Sequence, residues 1–193
     1  MVDHKLMTNT ELSLYFIALL PPEPFRQFAW KWKEYFRDQY KSKASLNSPP
    51  HITLHMPFKL KPKREAELIT SLQRVADNFN PLMVELEGFG AFPPRVIFID
   101  VEKSSELDEL QQAIKRQMKL DFQVFNANYQ DKPFHPHMTL AFRDLRKAQF
   151  QQAWEEFQYK EVHYTWESTQ FTLLKHNGHH WDIFQEISLT HSL

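Results

Sequence analysis

Two copies of one short motif pair a histidine with a threonine at the same spacing. The letters PHITL at 50–54 recur as PHMTL at 136–140, so the two histidines are 86 residues apart (137 − 51). The chain has ten histidines, and at ordinary residue frequencies roughly 0.05 matches to the pattern HxTL would be expected among them. Two copies, each preceded by proline, therefore indicate a repeated functional unit rather than a coincidence.

Both motifs lie in segments with the composition of β-strands, where residues i and i+2 point to the same face. His51 is then beside Thr53, and His137 is beside Thr139. A neutral imidazole accepts a proton near neutral pH and a charged one donates it, while threonine hydroxyls donate hydrogen bonds to anionic oxygen. A phosphodiester held between the copies would meet a base, an acid and two hydroxyl donors. These four side chains are predicted to be catalytic, through a displacement at phosphorus that needs no metal.

The motifs and their surroundings resemble the two-histidine phosphoesterase superfamily, and within it the 2′-5′ RNA ligase and RNA 2′,3′-cyclic phosphodiesterase family. Residues 16–22 resemble the first strand of the family and its exit, residues 51–54 with Phe58 resemble the first motif, and residues 134–141 resemble the second. The resemblance covers nearly the whole chain. It implies a two-lobed fold with a central cleft, and an enzyme that opens 2′,3′-cyclic phosphates at RNA or nucleotide ends to leave 2′-phosphates, with reversible 2′-5′ joining.

The same resemblance implies roles for the histidines and shows one departure. It implies that His137 activates water and that His51 protonates the leaving oxygen, although a pseudo-twofold site leaves the opposite assignment open. Family members often carry a basic residue five positions past the second histidine, where this chain has Phe142. Arg143 follows one position later, and strand alternation from His137 predicts that it reaches the cleft to bind substrate. A surface arginine leaving the strand is the alternative.

Other side chains are weaker candidates for binding. His55 lies two positions beyond Thr53, so alternation predicts that it faces the cleft and contacts substrate, with a partly exposed strand histidine as the alternative. Tyr15 is predicted to stack on a base, with core packing as the alternative. A further group, His176, His179 and His180, surrounds an Asn-Gly pair that is typical of a hairpin turn. We therefore predict an exposed turn there rather than a metal site.

Composition excludes several other routes to phosphate chemistry. The chain of 193 residues has no cysteine, which excludes thiol nucleophiles, thiolate zinc sites and disulfides. Its three glycines are too few for a glycine-rich phosphate loop, so side chains must hold any phosphate. With 23 basic and 24 acidic residues, a broad nucleic-acid surface is not expected. An RNA terminus or a small cyclic nucleotide is the predicted partner, without a cofactor or metal.

The elements around the motifs follow the same order in two halves, strand, helix, loop, strand, helix, strand. Helices are predicted to begin near residues 24, 62, 104 and 146, with a polar loop around 126–132. Strands are predicted at 13–20, 51–58, 82–92, 95–101, 137–142, 161–166, 170–175 and 181–189. We expect a single α+β domain over 1–193. It would be bilobal, with two pseudo-symmetric antiparallel-rich sheets facing a central cleft and helices outside.

The similarity of the two halves suggests lobes built from about 13–92 and 95–189, with exchange of terminal strands between them left open. The polar N-terminal residues 1–12 do not resemble a secretory signal, and the longest apolar run, 14–20, is too short to cross a bilayer. These features predict a cytoplasmic protein without membrane contact, and a monomer is favoured.

Two functional alternatives stay open: a noncatalytic module that binds nucleotides or RNA ends, and a metal-assisted phosphoesterase that uses the histidine group at 176–180.

Overall fold

The computed structural model describes residues 11–125 and 133–190, which contain eight strands and four helices. The predicted loop around 126–132 lies outside these residues. The elements agree with the predicted order, and two short 3₁₀ turns, Ala44–Asn47 and Pro62–Arg64, precede β2 and α2. The elements are β1 Ser13–Leu19, α1 Phe25–Tyr40, β2 Ile52–Leu60, α2 Glu65–Ala76, β3 Leu82–Phe92, β4 Val96–Val101, α3 Ser105–Phe122, β5 His137–Ala141, α4 Lys147–Phe157, β6 His163–Ser168, β7 Gln170–His176 and β8 Trp181–Ser188.

All eight strands form one sheet in the order β6-β3-β4-β5-β2-β1-β7-β8, with antiparallel pairing throughout. The predicted α+β class with antiparallel strands is confirmed, but the two predicted sheets are the two halves of one sheet, which join through β2 and β5 at the pair Ile52–Met138. Neither half is a continuous stretch of chain. β3 lies beside β4, whereas β7 and β8 lie beyond β1. The boundaries 13–92 and 95–189 therefore do not describe the two halves, because terminal strands are exchanged between them.

The helices pack on one face of the sheet and leave the other face for the motifs. One hydrophobic core joins buried residues of all four helices to the inward side chains of the strands, such as Tyr15, Ile17 and Leu19 of β1. The intervening residues Phe16 and Ala18 belong to a smaller cluster on the opposite face. We call this opposite face the active face. Alternate residues of β1 therefore point to the helix-covered core and to the active face.

Helix packing crosses between the halves. Helix α1, from the first half of the chain, contacts β5, while α3, from the second half, contacts β2. Helix α3 begins where the sequence predicts, and Ser104 caps it, since its hydroxyl accepts a hydrogen bond from the N–H of Leu107 at 3.1 Å. Each of the two central strands is therefore supported by a helix from the other half. Within the described residues, none of the helices combines the length and apolar character that a bilayer crossing requires.

Candidate active site

The two motifs meet at the centre of the sheet. Because Ile52 pairs with Met138 in antiparallel register, the next residues on each side place His51 opposite Thr139 and Thr53 opposite His137. Side chains in such directly opposite positions have Cβ atoms about 4.5 to 5.5 Å apart. The structure thus brings the four predicted catalytic side chains together, and each histidine lies beside the threonine of the other copy.

Backbone carbonyls fix the tautomer of both histidines in the same way. The Nδ1 atom of His51 lies 2.7 Å from the carbonyl oxygen of Pro49, and that of His137 lies 2.8 Å from the carbonyl oxygen of His135. A carbonyl only accepts, so Nδ1 must carry the proton in each ring. Nε2 is then the basic nitrogen, and it has no hydrogen-bond partner among the described residues. Both imidazoles are held ready to exchange a proton through Nε2.

Aromatic rings on the active face orient the two imidazoles. His51 packs against Phe16 of β1 with ring centroids 4.8 Å apart. His137 packs against Phe98 of β4 at 4.9 Å and against Phe92 of β3 at 5.1 Å. β1 and β4 occupy equivalent positions in the two halves. The repeat therefore includes the ring that supports each histidine as well as the motif itself.

The surroundings favour neutral histidines, for somewhat different reasons. Burial, together with the ammonium of Lys33 and the nearby His137, lowers the pKa of His51 to about 3, although its hydrogen bond to the Pro49 carbonyl acts in the opposite direction. Burial also lowers the pKa of His137, although its bond to the His135 carbonyl and the carboxylate of Asp100 act in the opposite direction. Asp100 pairs with His137 across β4 and β5. Near neutral pH both rings are uncharged, and an anion between them would make protonation easier.

Lys33 supports the first motif from beneath and was not predicted from the sequence. It is 1% exposed, and its Nζ donates to the carbonyl oxygens of Ser45 at 3.0 Å and Ser48 at 2.9 Å. Burial lowers the pKa of Lys33 to about 7. Ser48 leads directly to Pro49, whose carbonyl holds His51. The sequence contains a signal for this position, because Lys33 falls in the buried stripe of α1 with Ala29 and Phe36. A lysine at the same spacing is equally compatible with an exposed side chain, so the pattern alone does not identify it as buried.

Asp144, after the second motif, supports the segment before the first. Its carboxylate accepts hydrogen bonds from the Ser42 hydroxyl at 2.8 Å and from the backbone N–H groups of Lys43 at 2.9 Å and Ala44 at 3.0 Å. These residues begin the segment that ends at His51. The loop after the second motif is therefore connected to the approach to the first histidine. Sequence reasoning missed this contact, since it joins positions about one hundred residues apart.

A pocket of about 300 Å³ opens beside two of the four catalytic candidates. Thr53 and His137 form part of its wall, so a ligand in the pocket would adjoin the reacting centre. Aromatic rings and polar side chains complete the lining, which includes Phe92, Phe134, His135, Gln112 and Lys115. We call this cavity the central pocket. Its size and mixed lining are those of a small-molecule site.

The prediction that His55 faces the cleft is wrong. Thr53 pairs with Ala18 on the active face, but His55 pairs with Ile17, which lies in the core. A β-bulge at Leu54 inserts one extra residue, and this reverses the alternation beyond it. His55 is consequently 1% exposed, with its Nδ1 atom 2.9 Å from the carbonyl oxygen of Met56.

Tyr15 also lies in the core, so the prediction that it stacks on a base is wrong. Its side chain is fully buried on the helix face, and its hydroxyl donates to the carboxylate of Glu65 at 2.5 Å. Burial, with that hydrogen bond, raises the pKa of Tyr15 to about 12. The alternative interpretation of Tyr15, as a residue packed in the core, is therefore the correct one. A base on the active face has no access to this ring.

Arg143 does not continue the alternation of the second motif. β5 has its own bulge at Leu140, because Thr139 pairs with Phe98 but Ala141 pairs with Ile97. The strand ends at Ala141, and Arg143 adopts the left-handed conformation with φ 57°. Its guanidinium is exposed and lies 4.9 Å from the centre of the Phe142 ring. The parity argument for Arg143 therefore fails, and it lines a different pocket from the one beside His137.

The histidine group at 176–180 forms the exposed turn between β7 and β8. The side-chain oxygen of Asn177 accepts hydrogen bonds from the N–H groups of His179 at 2.9 Å and His180 at 3.0 Å. Among the described residues, the side chains close enough to share a metal ion are instead Glu85, Glu87 and His163, all exposed. Nδ1 of His163 lies 2.7 Å from the carboxylate of Glu87. An exposed ion pair therefore explains why these side chains lie close together.

Comparisons with known proteins agree with the fold. “Putative phosphoesterase GK0864” of Geobacillus kaustophilus is 28% identical over 165 residues, which cover 83% of this chain and 86% of that protein. TT0787 of Thermus thermophilus has a TM-score of 0.66 at 23% identity, covering 93% of this chain and all of that one. Escherichia coli LigT complexed with 3′-AMP has a TM-score of 0.68 at 19% identity, covering 93% and 99%.

A family model described as the 2′-5′ RNA ligase superfamily matches residues 21–180, which include both motifs. The match and the names of the relatives support an activity of the phosphoesterase type. The chain belongs to the 2′-5′ RNA ligase superfamily.

Proposed function

We propose that this protein opens 2′,3′-cyclic phosphates at RNA or nucleotide ends to leave 2′-phosphates, and that it joins RNA ends reversibly through 2′-5′ linkages when a 5′-hydroxyl takes the place of water. The observation that carries the proposal is the pair of histidines on adjacent strands, each with Nδ1 bonded to a backbone carbonyl and Nε2 available. Two hydroxyls flank them across the strand junction. This set can move two protons and bind phosphate oxygens without another group.

The proposed reaction uses the histidines as an acid and base pair. Nε2 of His137 takes a proton from water while the water oxygen bonds to phosphorus. The bond from phosphorus to O3′ breaks, and O3′ receives the proton held on Nε2 of His51. Thr53 and Thr139 donate hydrogen bonds to the non-bridging oxygens, where negative charge develops. The product is a 2′-phosphate, and transfer of one proton between the rings through solvent restores the starting state.

The lowered pKa values suit this scheme once an anion is bound. A neutral His137 is in the form that a base requires near pH 7. His51 must be protonated to serve as the acid, and its burial and the charge of Lys33 oppose this in the absence of substrate. The anionic phosphate supplies an opposite charge that favours the imidazolium. Protonation of His51 is therefore expected to accompany substrate binding.

The central pocket would hold the nucleoside. It shares Thr53 and His137 with the reacting centre, and the rings of Phe92 and Phe134 offer surfaces on which a base can stack. Gln112 and Lys115 bring polar groups to the same wall. The solved complex of LigT with 3′-AMP supports a nucleotide-sized ligand for this fold. We also propose a cytoplasmic monomer as the working form.

The test is a product assay with several 2′,3′-cyclic mononucleotides and an RNA that ends in a cyclic phosphate, in the presence of EDTA. We expect 2′-phosphate products, identified by ³¹P NMR, and losses of at least about 100-fold in His51→Ala and in His137→Ala. His163→Ala, an exposed histidine on β6, is the matched control and should retain activity. A 3′-phosphate product would reverse the leaving group, and full activity in either motif variant would refute the mechanism.

The noncatalytic alternative has its own signature in the same assay. A module that only binds RNA ends would retain 2′-phosphorylated nucleotides in a binding measurement while turning over none of the cyclic substrates. Activity that requires added metal and is insensitive to His51→Ala would instead support the metal-assisted alternative. The two-histidine proposal is distinguished from both by turnover in EDTA that depends on both motifs.

A further inference from the structure

A second pocket, of about 520 Å³, is lined by an unusual number of cations. It lies where the end of α1, the turn between β3 and β4, and the loop between β5 and α4 come together. We call it the basic pocket. Its cationic side chains are Lys41, Lys43, Arg95, Arg143, Arg146 and Lys147. The whole chain has a net charge of −1, so this concentration of positive charge is local.

The cations of the basic pocket outnumber the one carboxylate in its lining, that of Asp144. In the part of the chain that the structure describes, none of the six cations forms an ion pair, and Lys41 bonds only to the backbone carbonyl of Asp38. Asp144, the acidic residue in the lining, uses its carboxylate on Ser42 and on two backbone N–H groups. Six cations around one cavity repel each other, and a bound anion relieves that repulsion.

Within the described parts of the chain, the arginines differ in whether they form ion pairs, and those without one are concentrated at the basic pocket. Arg26, Arg37, Arg64 and Arg74 each form an ion pair with a carboxylate. The other four arginines form none among the described residues, and three of these line the basic pocket: Arg95, Arg143 and Arg146. The remaining one is Arg116 of α3, outside the pocket. Unpaired guanidinium groups are thus concentrated at this position, and the guanidinium fork matches phosphate oxygens in geometry.

Residues that line the basic pocket are close to both motifs along the chain. Arg143 is four residues beyond Thr139, so their Cα atoms are at most about 14 Å apart. On the other side, the N–H of Lys43 bonds to Asp144 at 2.9 Å, and the turn Ala44–Asn47 leads from there toward His51. A substrate whose reacting phosphate lies between the histidines can therefore extend toward these cations.

We propose that the basic pocket binds a second phosphate group of the substrate, one that the histidines do not process. The inference rests on the proposed function and refines its substrate to one that carries more than the cyclic phosphate. The second phosphate is either the one on the 5′-oxygen of the cyclic nucleotide itself or one further along the backbone of an RNA terminus. Both sources present the same anionic oxygens, which bind arginine and lysine by charge-assisted hydrogen bonds.

The experiment compares three substrates that share one cyclic phosphate. They are a 2′,3′-cyclic mononucleotide, the same compound with a 5′-phosphate, and an oligoribonucleotide that ends in the same cyclic nucleotide. The variant is the double change Arg146→Ala and Lys147→Ala, at exposed positions next to each other. The matched control is Arg116→Ala, an exposed arginine without an ion pair outside the pocket.

In the double variant, KM for the oligoribonucleotide should rise about tenfold at low salt, while kcat/KM for the cyclic mononucleotide changes less than about twofold. The slope of log affinity against log salt should become shallower by about one to two. Arg116→Ala should change neither. A similar increase in KM for the 5′-phosphorylated compound would place the bound phosphate on the 5′-oxygen of the cyclic nucleotide, and no change there would place it further along the RNA backbone.

Equal losses on all three substrates, or no loss on either substrate with a second phosphate, would overturn the proposal. Failure of the proposed function gives a different result, since the unmodified protein would then turn over none of the substrates. In that case fluorescence anisotropy with a labelled 2′-phosphorylated oligoribonucleotide still tests the pocket. Weaker binding in the double variant but not in Arg116→Ala supports it, and equal binding refutes it.

Discussion

Ile52 and Met138 pair at the junction of the two halves of the sheet, and each stands between the histidine and the threonine of its motif. Antiparallel pairing at this point exchanges partners between the copies, so each histidine lies opposite the other copy's threonine. Neither copy supplies a complete pair on its own. The reacting centre is a property of the junction, and its geometry depends on the register of two strands that the chain forms far apart.

The two threonines should be of similar importance. We expect Thr53→Val and Thr139→Val each to lower kcat by about 10²- to 10³-fold, because each removes a hydroxyl aimed at a phosphate oxygen that gains charge. Steady-state kinetics on the preferred cyclic substrate measure the effect. Thr165→Val, on the exposed side of β6, is the control. Unchanged kcat in both motif variants would remove the threonines from the proposed mechanism.

Lys33 should make stability depend on pH. Its pKa falls from 10.5 in a free side chain to about 7 in the folded protein because of burial. Between these values the unfolded chain holds a proton that the folded chain has released, so the free energy of unfolding rises with pH. The slope for one such proton is about 1.4 kcal/mol per pH unit. Urea unfolding between pH 7 and about 9.5, below the range where tyrosines titrate in the unfolded chain, measures it.

Lys33→Met should flatten that dependence, since the titrating group is gone. Lys31→Met, an exposed neighbour on α1, should keep the slope of the unmodified protein. The same Lys33 variant removes the donors to Ser45 and Ser48, so we expect a lower kcat as the segment before His51 loosens. A slope that persists in Lys33→Met would show that another group produces it.

Asp144 should act on the first motif although it follows the second. Asp144→Ala leaves the N–H groups of Lys43 and Ala44 without their acceptor, and we expect both amides to lose protection in hydrogen exchange. The free energy of unfolding should fall by about 1 to 3 kcal/mol. Asp182→Ala, an exposed aspartate on β8, is the control. Unchanged protection at Lys43 and Ala44 would contradict the role assigned to this carboxylate.

Two neighbouring residues of β1 should give opposite results. Tyr15→Phe removes a buried hydroxyl bonded to Glu65, which should cost about 1 kcal/mol of stability and leave kcat and KM unchanged. Phe16→Leu removes the ring that packs against His51 at 4.8 Å and should lower kcat. Thermal unfolding and steady-state kinetics on the two variants make the comparison. A kinetic defect in Tyr15→Phe would mean that the assignment of faces is wrong.

Local patterns in the sequence were sufficient to predict much of the fold and the four side chains at the centre of the site. Hydrophobic alternation and helix periodicity predicted the elements, and the repeated motif predicted the four side chains that meet at the junction. The errors at His55 and Arg143 have one cause. Bulges at Leu54 and Leu140 depend on how each strand pairs with its neighbour, and strict alternation cannot reveal them from one strand alone.

Long-range contacts account for what else was missed. The role of Lys33 depends on carbonyl groups 12 and 15 residues away, and that of Asp144 on a segment about 100 residues away. Asp144 carries no local signal, and the position of Lys33 in the buried stripe of α1 does not by itself distinguish it from a surface charge. The basic pocket is a similar case, because its cations come from separate loops and only folding collects them.

The exchange of β3 and β7 between the halves has a consequence for how the protein folds. An isolated N-terminal half would lack the two outer strands beyond β1, and an isolated C-terminal half would lack the strand between β4 and β6. Neither could close its own core, so an intermediate with one finished half is not available. The sheet should therefore form in a single cooperative event, and the two histidines come together in the same event. Cleavage of the chain between β3 and β4 should yield two fragments that are unstable apart but assemble when mixed.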